Sequence, residues 1–136
     1  MRVFLDTAPL IYLCEGTAAF NEKVSSQLEQ WIRSDTVLGT STLTLLELLV
    51  VPKREGNQRL ATKYRALLAD LLVDPLVPLD ESIAVRAADY RAEYGLKTPD
   101  SIQLATAVLH GYDLFYTNDK KLSCCNDVEI LLVADS

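Results

Sequence analysis

Apolar positions along the chain fall into short runs set between longer stretches of helical spacing. The first run is Val3, Phe4 and Leu5, strand formers in a row, which predicts a buried central strand. It ends on Asp6. Thr7 stands where a helix cap is expected, and Pro9 falls in the first turn, where its missing N–H costs nothing. Residues 10–14 continue that helix and Gly16 stops it. Residues 21–33 place Val24, Leu28, Trp31 and Ile32 on one helical face, and residues 36–40 read as a second strand. After a cap at Ser41 or Thr42, residues 43–51 are apolar almost all round. That pattern predicts a buried helix whose one ionisable residue is Glu47.

The second half continues in the same way. Residues 52–57 (P-K-R-E-G-N) predict a turn, and residues 59–72 a helix with Leu60, Tyr64, Leu67, Leu68 and Leu71 as its apolar positions. Residues 73–79, interrupted by Pro75 and Pro78, predict a short edge strand. Asp80 caps a helix reaching about Tyr94, which Gly95 ends. Thr98-Pro99-Asp100 opens the helix with the clearest signals: a capping Thr, Pro at its first position, and Gly111 just past its end. Its body, I-Q-L-A-T-A-V-L, is nearly all small or apolar and is predicted to be central. Residues 113–117 and 128–133 return to strand character. Strands alternating with helices predict an α/β fold, a three-layer α/β/α arrangement with a mostly parallel central sheet covered on both faces. No repeat or linker interrupts the 136 residues, so a single domain over residues 1–136 is expected.

Composition narrows the function. At 49% hydrophobic and 24% charged the chain is not a disordered one. No apolar run reaches the ~18–20 residues that span a bilayer, and the start lacks the pattern of a signal peptide. Cys14, Cys124 and Cys125 are odd in number and two are adjacent, a poor disulfide framework, and His110 as sole histidine leaves no zinc set. A reducing cytoplasm, with no membrane partner, is the expectation. The net charge of −6 argues against binding nucleic acid mainly by counterion release. It does not exclude an enzyme that reaches phosphates through bound cations. Such an enzyme needs its acids gathered in one place.

Four acids hold comparable places. Asp6 ends the first strand, Glu47 lies within the apolar helix, Asp100 is in a helix's first turn, and Asp119 follows a late strand. Each has a plain structural reading: Asp6 as a helix cap, Glu47 on a narrow exposed stripe or paired to an Arg, Asp119 as a turn residue. Asp100 would be favoured by the helix dipole by ~0.3–1 kcal/mol. Yet strand ends and helix starts of a parallel α/β sheet converge on one edge, which places Asp6, Asp100 and Asp119 there together. Glu47, if buried and ionised, needs a cation, a base or a metal. Carboxylates crowded without a base repel each other, divalent cations are the usual remedy, and all-oxygen ligands select Mg²⁺ or Mn²⁺.

D-T-x-x-L-I-Y after the first strand, a lone Glu in the third helix, T-P-D-S-I-Q-L-A-T-A and the late T-N-D-K-K-L together resemble the PIN domain. Within it, the likeness is to the VapC-type toxins of toxin–antitoxin pairs. The resemblance covers essentially the whole chain in order and in length, and rests on the four motifs jointly. It implies a metal-dependent endoribonuclease in which Asp6, Glu47, Asp100 and Asp119 gather Mg²⁺ or Mn²⁺. Thr117, and behind it Thr7 and Asn118, match the small polar residues that orient the acids or a metal-bound water. RNA would be cut by a metal-activated water, leaving 5′-phosphate and 3′-hydroxyl ends. The likeness also implies a cognate antitoxin that occludes the pocket, with a basic side chain among the carboxylates. Many relatives carry Asn or Ser where this chain has Ala8, and such supporting groups typically matter ~10–100-fold in metal affinity or activity.

Two other functions compete. One is a PIN-like fold kept as a catalytically silent binding module, its acids serving only a partner. The other is a phosphatase of the haloacid-dehalogenase kind, which needs a second acid two residues after the first, where Ala8 stands. The apolar faces at residues 10–14, 21–33 and 60–71 are candidate groove walls for an antitoxin segment, and for a homodimer. Lys53, Arg54, Arg59, Lys63 and Arg65 read either as an RNA-backbone patch or as a solvated face. Lys120 and Lys121 read as surface, His110 as a helix-end residue, and Tyr12 and Trp31 as core or interface.

Overall fold

Alternation within the strands decides where the core lies. In the computed structural model, which describes residues 1–136, four strands form one sheet: β1 (Arg2–Leu5), β2 (Val37–Gly39), β3 (Leu114–Thr117) and β4 (Glu129–Leu132). Their order is β2-β1-β3-β4 and every pairing is parallel. Val3 and Leu5 of β1 and Leu114 and Tyr116 of β3 face one side, and Phe4 and Phe115 face the other. The first side is covered by α1 (Thr7–Glu15), α2 (Ala18–Arg33), α3 (Thr42–Arg54) and α4 (Gln58–Leu71), through residues such as Leu10, Trp31, Leu48 and Tyr64. The second is covered by α5 (Glu81–Tyr94) and α6 (Thr98–Leu109), through Ile83, Tyr90 and Leu104. This is the three-layer α/β/α fold of the sequence reading. Each fully buried large side chain contributes about 1.5–3 kcal/mol, and Phe4 stacked on Phe115 at 5.2 Å joins the two central strands. No helix is long and apolar enough to cross a membrane.

Topology positions the site. From β1 the chain moves outward to β2, then crosses back to place β3 on the other side of β1. The connections therefore part company above the carboxyl ends of β1 and β3, the switch point where open parallel sheets bind ligands.

Several local expectations are corrected. Asp6, not Thr7, caps α1, because its carboxylate reaches the Thr7 N–H directly. Lys97, not Thr98, precedes α6; Thr98 is already helical and its hydroxyl instead accepts from Arg91 Nη1 at 2.7 Å. Pro52 lies within α3 rather than opening a turn: it forgoes one backbone bond, its ring is buried, and Lys53 and Arg54 complete a basic last turn favoured at that end. That helix is not buried all round, since Leu46, Val50 and Val51 are exposed. Residues 73–79 form no strand. A single parallel bridge, Val77 to Ser41, is all that survives between Pro75 and Pro78, neither of which has an N–H to donate.

Candidate functional site

Asp6 leaves β1 with its backbone still in the sheet, its N–H donating to the Tyr116 carbonyl of β3 at 3.0 Å. Its side chain has two fixed partners. Oδ1 accepts from the Thr7 N–H at 2.8 Å, as a helix cap, and Oδ2 accepts from Thr117 Oγ1 at 2.7 Å. Thr117, the last residue of β3, is fully buried, and its hydroxyl also accepts from the Asp119 N–H at 3.2 Å. One hydroxyl thus ties the ends of β1 and β3 together and anchors the loop that carries Asp119. The Asp119 carboxylate turns back to accept from the Lys121 N–H at 3.0 Å.

Glu47 arrives from α3. The Ser41 cap starts that helix, and Glu47 comes one and a half turns in, opposite the start of α1. Its Oε1 accepts from Thr7 Oγ1 at 2.8 Å, so Thr7 links the first and second acid-bearing segments even though it is not a cap. Asp100 comes from the other helical layer, in the first turn of α6, where free N–H groups favour its charge. All four acids are partly buried, at the lip between core and solvent. None is ion-paired: the two ion pairs of the chain are Arg2–Asp74 and Arg33–Glu29.

The electrostatics record the crowding. Burial pushes the Asp6 carboxyl from 3.8 up to about 6; the Thr117 and Thr7 hydrogen bonds oppose the rise, and Asp100 and Glu47 add to it. Asp100 is raised by burial first, then by Asp119 and Glu47, with only Lys97 and Lys121 pulling it down. Each of the four acids therefore acts on another, from β1, α3, α6 and the β3 loop. No three of them form a ready-made metal cage. Their donor chemistry nevertheless suits a hard divalent cation: carboxylate oxygens only, no thiolate or imidazole, and a mutual repulsion that a cation would relieve.

Other residues take plainer places. Asn118 donates to the Tyr12 hydroxyl at 3.1 Å, and Tyr12 stacks on Phe20, so both hold the rim between α1 and the β3 loop. Trp31 is core. His110 is the exposed C-cap of α6. Lys53, Arg54, Arg59, Lys63 and Arg65 are exposed on α3 and α4, without acid partners. What the sequence reading missed is a buried polar group around Gln103, whose signal was there as the one amide in an otherwise small or apolar helix.

Residues 3–124 match the family model of the PIN domain, nine-tenths of the chain, and the protein belongs to that family, whose members are nucleases. No curated protein matches the sequence. Among solved structures, the chain is similar to a toxin–antitoxin complex from Klebsiella pneumoniae, at 26% identity over 96% of this chain and 97% of that one, with a TM-score of 0.72. It is also similar to FitAcB from Neisseria gonorrhoeae (23% identity, 98% and 99% covered, TM-score 0.75). VapBC2 from Rickettsia felis, solved bound to a promoter DNA fragment, aligns at 13% identity over 97% and 98%, with a TM-score of 0.79, a likeness of fold alone.

Proposed function

We propose that this PIN-family chain is a Mg²⁺- or Mn²⁺-dependent endoribonuclease and the toxin of a toxin–antitoxin pair. The observation that carries the reading is the group of four partly buried, unpaired acids at the switch point, two of them titrating high, first because they are buried and further because neighbouring acids repel their charge. Asp6, Glu47, Asp100 and Asp119 would hold the metal. The bound ion supplies a nucleophilic water at neutral pH and charge stabilisation at the phosphate. The chain's own part is positional. Thr117 and the Thr7 N–H each fix one Asp6 oxygen, the Thr7 hydroxyl fixes one Glu47 oxygen, and a carboxylate oxygen with a single hydrogen bond keeps a lone pair for a cation. No side chain is needed as nucleophile. The phosphatase alternative has no general acid to use, with Ala8 at the required position. The unpaired bases of α3 and α4 are the one basic stretch on an acidic protein and would receive the RNA backbone.

The Klebsiella pneumoniae structure is of a toxin–antitoxin complex, which supports an antitoxin partner here. A basic side chain of that partner, entering among the carboxylates, would replace the charge of the metal. The apolar faces of α2 and α4, read from the sequence as groove walls, are turned into the core, which leaves exposed Ile32 on α2 for such a partner and exposed Leu46 and Val50 on α3 as a surface for a homodimer. Three free cysteines, none paired, fit a reducing cytoplasm.

The test is cleavage of a labelled RNA with Mn²⁺, alongside Mn²⁺ calorimetry. Wild type should cut, EDTA should stop it, and Asp6→Asn should be inactive yet folded. A folded wild type that binds no Mn²⁺ and cuts no RNA would leave the silent binding module as the function.

A further inference from the structure

Beneath the acids lies a second polar group, and it is closed to solvent. Thr40, Ser41, Thr44 and Gln103 are at most 2% exposed. The Gln103 carboxamide is engaged at both ends: Oε1 accepts from Ser41 Oγ at 2.5 Å and Nε2 donates to Thr44 Oγ1 at 2.7 Å. Ser41 Oγ in turn accepts from the Thr44 N–H at 3.2 Å, the cap of α3. Thr40 Oγ1 lies 2.7 Å from the Leu5 carbonyl and 2.8 Å from Thr44 Oγ1. Each hydroxyl has one proton, so Thr40 gives its own to the carbonyl, which has none, and receives that of Thr44.

The members of this network stand one step behind the acids. Thr44 precedes Glu47 by three residues on α3, and Gln103 follows Asp100 by three on α6, spacings that share a helix face. Leu5 is the residue before Asp6. Gln103 therefore bonds the α3 and α6 faces that present two acids, and Thr40 extends the tie to the strand end that presents the third. These helices lie in opposite layers of the fold, where apolar packing would hold them together without fixing their register so sharply.

We propose that Gln103 is a positioning residue: through Ser41 and Thr44 it sets α3 against α6, and through Thr40 the end of β1, so that Glu47, Asp100 and Asp6 converge on one divalent cation. The inference rests on the metal-nuclease reading above. Gln103 itself touches neither metal nor RNA.

The experiment compares Thr44→Val, Thr44→Ser and Gln103→Met with wild type, each shown to be folded by circular dichroism, using Mn²⁺ calorimetry and cleavage kinetics. Thr44→Val keeps the shape of the side chain and serves if Gln103→Met does not fold. The expected result is a Mn²⁺ affinity lowered about tenfold in Thr44→Val and Gln103→Met and retained in Thr44→Ser, which keeps the hydroxyl. At a fixed, subsaturating Mn²⁺ concentration kcat should fall with KM for RNA unchanged. Wild-type Mn²⁺ affinity in folded Thr44→Val and Gln103→Met would overturn the positioning role and leave the nuclease reading intact. Absence of Mn²⁺ binding by wild type would overturn both.

Discussion

β1 has two ends, and the protein treats their charges in opposite ways. At the first, the Arg2 N–H donates to the Asp113 carboxylate at 2.8 Å, and the guanidinium lies 4.4 Å from the centre of the Tyr112 ring, reaches the His110 carbonyl and faces Asp74 at 3.8 Å. Every charge there has a hydrogen-bond donor, an opposite charge or a π face beside it. At the other end, four residues on, Asp6 faces Glu47 and Asp100, and Asp100 faces Asp119, with no base paired to any of them. A fold able to pair charges at one end of a strand does not do so at the other. The unpaired end is destabilising, and an external cation is the group that would relieve it.

Replacing Asp6 tests that contrast most strongly. Asp6→Asn retains an oxygen to cap Thr7 while removing the charge, so RNA cleavage should drop below detection as the protein becomes more stable at pH 7. The gain, read as a rise in melting temperature in EDTA, corresponds to on the order of 2 kcal/mol for a carboxyl raised this far. A loss of stability in that variant would show that the charge at this end is already compensated.

Thr117→Val should lower activity by about 10–100-fold and stability by about 1–3 kcal/mol. It removes the only side-chain donor to Asp6 and strands the Asp119 N–H. Chemical denaturation and Mn²⁺ titration of the same sample separate the two effects.

The pH dependence has a definite sign. Asp6 and Asp100 both titrate above their unfolded values, so the folded state holds their protons more tightly than the unfolded chain does. The stability that Asp6 contributes is complete below about pH 4 and is lost as pH rises through about 6, and Asp100 shifts in the same direction. Melting curves of metal-free wild type should therefore decline relative to Asp6→Asn across that window, and saturating Mn²⁺ should remove the difference. Parallel curves for the two proteins in EDTA would contradict it.

At the paired end the effect should be small and purely structural. Arg2→Ala should cost about 1 kcal/mol, mostly from the lost contact with Tyr112, because the ion pair to Asp74 is exposed. Mn²⁺ affinity should stay at the wild-type value. The smallest effect belongs to the largely exposed Arg33–Glu29 pair, where Arg33→Ala should change stability by ~0.5 kcal/mol or less in the same denaturation assay.

The sequence by itself determined the strand and helix order, because apolar periodicity reports which face an element buries. It also determined the edge on which Asp6, Asp100 and Asp119 fall, because parallel topology leaves strand ends and helix starts nowhere else to go. Caps were less legible. Asp6 and Thr7 are neighbours and both are capping types, so only backbone geometry separates them, whereas at α6 the cap position falls on Lys97, which has no side-chain acceptor to announce it. The strand expected at residues 73–79 failed because β propensity is local, whereas ladder hydrogen bonds need a partner and N–H donors that Pro75 and Pro78 lack. The contacts of Glu47 with Thr7, and of Gln103 with Ser41 and Thr44, join residues 40, 62 and 59 positions apart. Periodicity along one segment carries no information about which polar atoms will face each other across two layers of a fold. Only the packing of α1, α3 and α6 around the end of β1 decided them.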